Sequence, residues 1–487
     1  MNIISFSDLF SRFQKRESLL QPQQLRLHPP GLTHFSYRSH RELPPFVSRC
    51  PIAMKYLKLL STLDWDNLPW RPTPGPRPGP YPASPLPYIA AYLVKLDQQH
   101  KSMGQLRQYL VEHPALTWVL GFPLQMCPDA PHGFDVAASL PLPAHFSYVL
   151  RTLPNPWLQF LLTDTVQLLQ LALPPAIAFG NVVSLDTKLV IAWVKENNPK
   201  VYIKEGRFDK TRQPAGDPDC KCRCKRRRNQ SPEATPTQEG QPAEGLGVSK
   251  GEYYWGYASG VVATKVPGWG EFVLAEMTQT FDFSDVSYFL PLMAIVEERL
   301  GFRPPYGTAD AAYDAWYVYD YFHQAGGFAA VPYVDRTKGN RYYFTEDGLP
   351  LCAAGLPMPI KSTFINRSSP VVHERARHAC PLLFPAETGE ICPLNHKNWA
   401  DGGCISTLPT SIGTRIRYQL DRQSPPYKAI YKQRTVVERI FSQAVALGIE
   451  RPKLRNHNSI TNLNTLIYTL INLRALQRIQ DIKATTR

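Results

Sequence analysis

Three acidic residues stand where a carboxylate is costly. Asp186 follows the β-branched, apolar run Asn181-Val-Val-Ser-Leu, and Asp310 lies in Tyr306-Gly-Thr-Ala-Asp-Ala-Ala-Tyr-Asp314, at the end of a short predicted strand. Glu438 lies in Tyr431-Lys-Gln-Arg-Thr-Val-Val-Glu-Arg-Ile-Phe441, a predicted amphipathic helix. A carboxylate in a buried strand needs a paired cation or a metal ion. Three of them from separate elements offer hard oxygen ligands, which suit magnesium, with manganese as the alternative, better than they suit soft metals. Two such ions about 3.5 to 4 Å apart serve both the attacking and the leaving oxygen of a phosphodiester. The expected roles are Asp186 bridging both ions and Asp310 and Glu438 holding one each.

At about 100° per residue, Tyr431, Arg434 and Glu438 fall in one narrow arc beside the apolar stripe Val437, Ile440, Phe441 and Ala444. Taken alone, this is an ordinary helix with an i, i+4 ion pair. With two aspartates upstream, Arg434 and Tyr431 become candidates for holding a phosphate, the guanidinium through paired hydrogen bonds and the phenol through one. Lys188, two residues after Asp186, is a further candidate for the same backbone.

Composition narrows the partners. Lys plus Arg outnumber Asp plus Glu by 54 to 40 in 487 residues, a net charge of +14 and a pI near 9.3, which favours a polyanion. The most apolar stretch, Leu158 to Phe179, is interrupted by Asp164, Gln167, Gln170 and two prolines, so no membrane span is expected. Met1 to Leu20 carries charges where a signal peptide needs an apolar block, and a soluble intracellular protein is expected. Nine cysteines, an odd count, argue against a disulfide framework and leave free thiols or a metal site.

The elements that must position these residues run in a recognisable order. Residues 1–68 form a weakly defined segment and 69–87 a proline-rich linker. Residues 88–175 form a helical region for DNA binding or dimerisation, compatible with a helix-turn-helix or a plain bundle. Over 176–334 come a strand to Lys188, strands Tyr253 to Thr264 and Glu271 to Thr280, a helix Ser284 to Leu300 capped by Ser284, a short strand, a helix Ala315 to Gln324 and a strand Phe328 to Val334. The helix with Glu438 and an apolar C-terminal helix complete the order over 426–480. This is the order of an α/β, ribonuclease-H-like mixed sheet flanked by helices, with an N-terminal helical domain and two insertions.

The first insertion, 195–250, holds Cys220-Lys-Cys-Arg-Cys-Lys-Arg-Arg-Arg228 and is expected as a solvated loop, in which Arg226, Arg227 and Arg228 lie along phosphates. The second, 335–425, has Cys352, Cys380, Cys392 and Cys404. Their wide spacing lacks the paired knuckles of a zinc motif, so unliganded thiols are the default and zinc at the 380–404 cysteines the alternative.

Asp186 in Ser-Leu-Asp-Thr-Lys, Asp310 in Ala-Asp-Ala-Ala-Tyr-Asp and Glu438 in Tyr431-x-x-Arg434-x-x-x-Glu438 resemble the signatures of the DDE transposases of bacterial insertion sequences, in particular the group whose third motif is Tyr, Arg, Glu and then Lys. The resemblance covers about 88 to 475. It implies a magnesium-dependent ribonuclease-H-like catalytic domain that binds the terminal inverted repeats of an element in double-stranded DNA, cuts them and joins them to target DNA. It also implies a homodimer on paired ends and a place in the bacterial cytoplasm, associated with the nucleoid. The lysine expected seven residues after Glu438 is Val445 here, with Lys453 and Arg455 following as DNA-binding candidates, and the usual glycine after the second motif's alanine is Ala312. The alternatives are an inactive repressor that occupies the repeats and a structure-selective nuclease on the same fold.

Overall fold

A computed structural model describes residues 43–70, 84–198, 209–226, 251–334 and 341–486. Most of the proline-rich linker lies outside the described residues, as do Arg227 and Arg228.

After a single helical turn, Pro45–Ser48, the described residues continue with helices α1 (Pro51–Leu60), α2 (Leu86–Asp97), α3 (Met103–Glu112) and α4 (Pro114–Val119), followed by α5 (Pro143–Thr152) and α6 (Asn155–Ala172). Proline at the first or second position begins five of these six, where its missing N–H costs nothing and its fixed φ fits the helix. The exception is α3, whose cap Ser102 accepts from the Gln105 N–H at 3.1 Å.

The strands are β1 (Val182–Ile191), β2 (Lys221–Arg226), β3 (Gly251–Val266), β4 (Gly270–Thr280), β5 (Tyr306–Thr308) and β6 (Phe328–Ala330). Their order is β2-β3-β1-β5-β6, with β4 also on β3. β3 is antiparallel to β1, β2 and β4, whereas β5 and β6 are parallel to β1 and to each other. The architecture is a mixed α/β sheet flanked by helices.

Alternation along β1 distributes the core. Val183, Leu185, Leu189 and Ile191 join the cluster that holds α7 (Phe289–Leu300) and α8 (Trp316–Gln324), while Val190 turns to the opposite cluster. That second cluster includes the apolar stripes of α11 (Thr435–Ala446) and α12 (His457–Thr486), which follow α9 (Ile412–Gln419) and α10 (Pro425–Tyr431). It also contains the N-terminal helices, so these helices share one core with the sheet. Leu463, Leu466, Ile467, Leu470 and Ile471 of α12 are all buried there, and Arg474 on that helix pairs with Asp97 of α2 at 2.7 Å. Among the described residues no helix is long and apolar enough to cross a membrane.

Four expectations need correction. The segment Lys221–Arg226 is a strand paired with β3, and Cys220 and Cys222 are buried in the core, so this part of the first insertion is no solvated loop. Basic residues alternating with cysteines read as charge in a window, but the alternation is the period of a half-buried strand. Ser284 makes no side-chain cap: a 3-10 turn, Asp285–Tyr288, begins the helix and Ser284 instead accepts through its carbonyl. The strand at Phe328 ends at Ala330 rather than Val334. Finally, Tyr431 and Glu438 are not on one regular helix, because the 3-10 turn Lys432–Arg434 separates α10 from α11.

The second insertion folds as a three-stranded sheet in the order β7 (Ile360–Asn366), β8 (His373–His378), β9 (Ser406–Pro409). It meets the main sheet's helices where the His373 ring lies 5.0 Å from that of Trp316, the first residue of α8.

Candidate functional site

The parallel pairing of β1 with β5 sends the segments that carry the two aspartates out in the same direction. Val182 is opposite Tyr306, Val183 opposite Gly307 and Ser184 opposite Thr308. Asp186 and Asp310 each lie two residues beyond the last of these pairs, Asp186 still in β1 and Asp310 past the end of β5. Gly307 leaves room for the Phe322 ring, whose tip would clash with a Cβ at this position. Asp310 then caps the 3-10 turn Ala311–Tyr313, accepting from the Ala312 N–H at 2.8 Å. Ala312 presents its N–H to Asp310 and its side chain to solvent.

Tyr313 sits behind the acidic pair. It is fully buried, its hydroxyl has no hydrogen-bond partner, and burial, then Asp186, Asp285 and Asp310, push its phenol far above the ordinary range. A neutral phenol is therefore held beside three carboxylates. Asp285 is a site neighbour that sequence reasoning missed; it accepts from the Thr187 hydroxyl at 2.9 Å, and Arg223 of β2 approaches it at 3.8 Å. The signal available was the strand period through Lys221–Arg226, which puts Arg223 on the opposite face from Cys222.

The helix of Glu438 is tied to the strand of Asp186. Ser184, which shares a face of β1 with Asp186, donates its hydroxyl to the Arg434 carbonyl at 3.0 Å. The start of α11 is thus tied to β1 two residues before Asp186, and Val436, Val437, Ile440 and Ala444 bury the helix against the sheet. Glu438 is one turn further on. Its carboxylate is held by Arg434 at 2.8 Å and is 45% exposed, so it remains open to a ligand. Tyr431 stacks on Tyr427 with ring centroids 5.8 Å apart.

The remaining candidates have these surroundings. Lys188 pairs with Glu450 at 3.2 Å. Lys453 lies over the Trp193 ring and Arg455 donates to the Trp193 carbonyl, beyond the far end of β1. Arg226 is in β2, at the end away from the core cysteines. Asp314 of the second motif serves the structure: buried, it receives both arms of the Arg417 fork at 2.7 and 2.6 Å.

The donors fit magnesium in kind. Asp186 and Asp310 supply hard oxygens, and the buried, unpartnered Tyr313 hydroxyl is in reach of both charges. Among the described residues, no three His, Cys, Asp or Glu side chains are already gathered to hold a metal ion. No family model and no curated protein matches the chain.

Proposed function

We propose that this chain is a DDE transposase of a bacterial insertion sequence, acting in the cytoplasm on DNA of the nucleoid. On this reading the sheet is ribonuclease-H-like: the order β4-β3-β1-β5-β6, with the antiparallel strands on one side of β1 and the parallel ones on the other, supports it. The observation that carries the reading is that Asp186 and Asp310 each follow the paired strands β1 and β5 by two residues, with the helix of Glu438 tied to β1.

Asp186, Asp310 and Glu438 would hold magnesium, or manganese. The ion supplies Lewis-acid stabilisation of the charge that develops on phosphate oxygens. The protein's own groups orient the DNA. Arg434, next to Glu438, holds a phosphate beside the cut, and Tyr431 steadies the same backbone. Water attack frees a 3′ hydroxyl at the element end, and that hydroxyl attacks target DNA in line. Two copies, each holding one terminal inverted repeat, would act as a homodimer.

The Arg434–Glu438 ion pair and Val445 in place of the expected lysine favour one second reading, an inactive chain that binds the repeats and blocks transposition. One assay separates them: labelled duplex carrying the element's ends, a target plasmid and magnesium. Cleavage and joining are expected in the wild type, with a loss of at least about 100-fold in Glu438→Gln, the scale of removing one preorganised stabiliser. Binding without cleavage supports the repressor, and cleavage without joining supports a nuclease. Cleavage by Glu438→Gln at the wild-type rate would remove Glu438 from the site.

A further inference from the structure

An open strand edge is a template for another chain, and folded proteins blunt such edges with charge, proline, shortness or a cover. Among the described residues, every other strand edge carries one of these defences. β6 has three residues, and β9 has four and ends in Pro409. β2 carries Lys221, Arg223, Lys225 and Arg226. β4 is covered by side chains: Asn472 donates to the Val273 carbonyl at 2.8 Å and accepts from its N–H at 2.9 Å. Arg299 donates to the Leu274 carbonyl at 2.7 Å, and the His457 ring meets the Thr278 carbonyl at 3.2 Å.

β7 has none of them over residues 362–366. It is the edge of its sheet, pairs among the described residues with β8 alone, and is exposed on both faces. This segment holds no charge and no proline, and Thr363, Phe364 and Ile365 are β-branched or aromatic, the types that favour strand pairing. Phe364 is 42% exposed and Ile365 51%. Against β8 the ladder is regular here, with Ser362 opposite Arg377 and Phe364 opposite Arg375, after a register shift that sets Lys361 out. Lys361 reaches over the Phe384 ring instead, 5.8 Å from its centroid.

We propose that β7 joins two copies of this chain: residues 362–366 pair antiparallel with the same segment of a second copy, about a two-fold axis at Phe364. The two insertion sheets then become one continuous sheet. In this register each Phe364 meets its counterpart and Thr363 meets the partner's Ile365, so the segment is complementary to itself. No like charges meet within it, although each chain carries +14. A longer ladder would set Lys361 against the partner's Arg367, which confines the contact to this segment. The segment offers no cation to a phosphate, so DNA is not its occupant. For its role in bringing two DNA ends together the contact rests on the proposed function; the pairing itself forms without DNA.

The test is sedimentation of the full-length chain without DNA, so failure here leaves the cleavage reading untouched. So short a ladder should give a reversible dimer with a dissociation constant on the order of micromolar. Phe364→Lys sets two like charges on the axis and should weaken the dimer at least about tenfold, as should Phe364→Glu. Mixing these two variants should recover the dimer, since opposite charges then meet. Phe364→Cys should give a 364–364 disulfide between copies on mild oxidation, found by peptide mapping. All three replace an exposed side chain; if the charged variants fail to fold, the wild type and Phe364→Cys still decide. A wild type that stays monomeric up to about 100 µM would overturn the proposal, as would a Phe364→Lys dimer as tight as the wild type. A monomer in which the amides of 362–366 resist hydrogen exchange would also overturn it, by giving this edge to another segment of the same chain.

Discussion

The Ser184 hydroxyl donates to the Arg434 carbonyl at 3.0 Å, joining residues 250 positions apart. This bond connects the strand of Asp186 to the turn from which the helix of Glu438 starts. The carbonyl it satisfies lies in a 3-10 turn, where the helix's own hydrogen bonding is weaker.

Ser184→Ala should therefore act twice. The lost bond should lower stability by about 1 kcal/mol, measured by urea denaturation. DNA cleavage should fall further than that stability loss explains, with affinity for the DNA ends little changed. Equal, small effects on all three would mean that the bond has no part in positioning Glu438.

Arg417 neutralises a carboxylate that has no access to water, since the Asp314 side chain is 0% exposed. Arg417→Ala should cost about 3–5 kcal/mol, because it leaves that charge buried without a cation. Asp314→Asn combined with Arg417→Met should recover much of this loss in chemical denaturation. A double variant as unstable as Arg417→Ala would show that uncompensated charge is not the cause.

Glu276 should make stability depend on pH. It is buried on β4, where it accepts from Gln159 and Thr465, and burial pushes it up to about 7. A carboxyl raised above its unfolded value stays protonated in the native state while the unfolded chain ionises. Its contribution is thus fully present below about pH 4.5 and is lost as pH rises through 7. The loss is on the order of 3 kcal/mol. Glu276→Gln should flatten the stability profile between these limits relative to the wild type; parallel profiles would refute the assignment.

Arg223 brings the basic strand to the edge of the acidic site. Removing residues 220–228 as a block would take β2 out of the sheet, so single substitution is the better probe. Arg223→Ala should weaken duplex DNA binding and reduce the salt slope by about one. An unchanged slope would place this side chain outside the DNA path.

The sequence by itself determined the local and periodic features. The apolar stripe through Val437, Ile440 and Ala444, the strand that delivers Asp186 and the short strand before Asp310 each follow from residue types at fixed spacing, because side-chain period is a property of the backbone. Only the tertiary structure decided which remote segments meet. Pairing of β1 with β5 joins the two strands that lead to Asp186 and Asp310, and Lys221–Arg226 becomes a strand only because the edge of β3 supplies its hydrogen bonds. Strand pairing and burial are agreements between distant residues, and no window along the chain contains both parties.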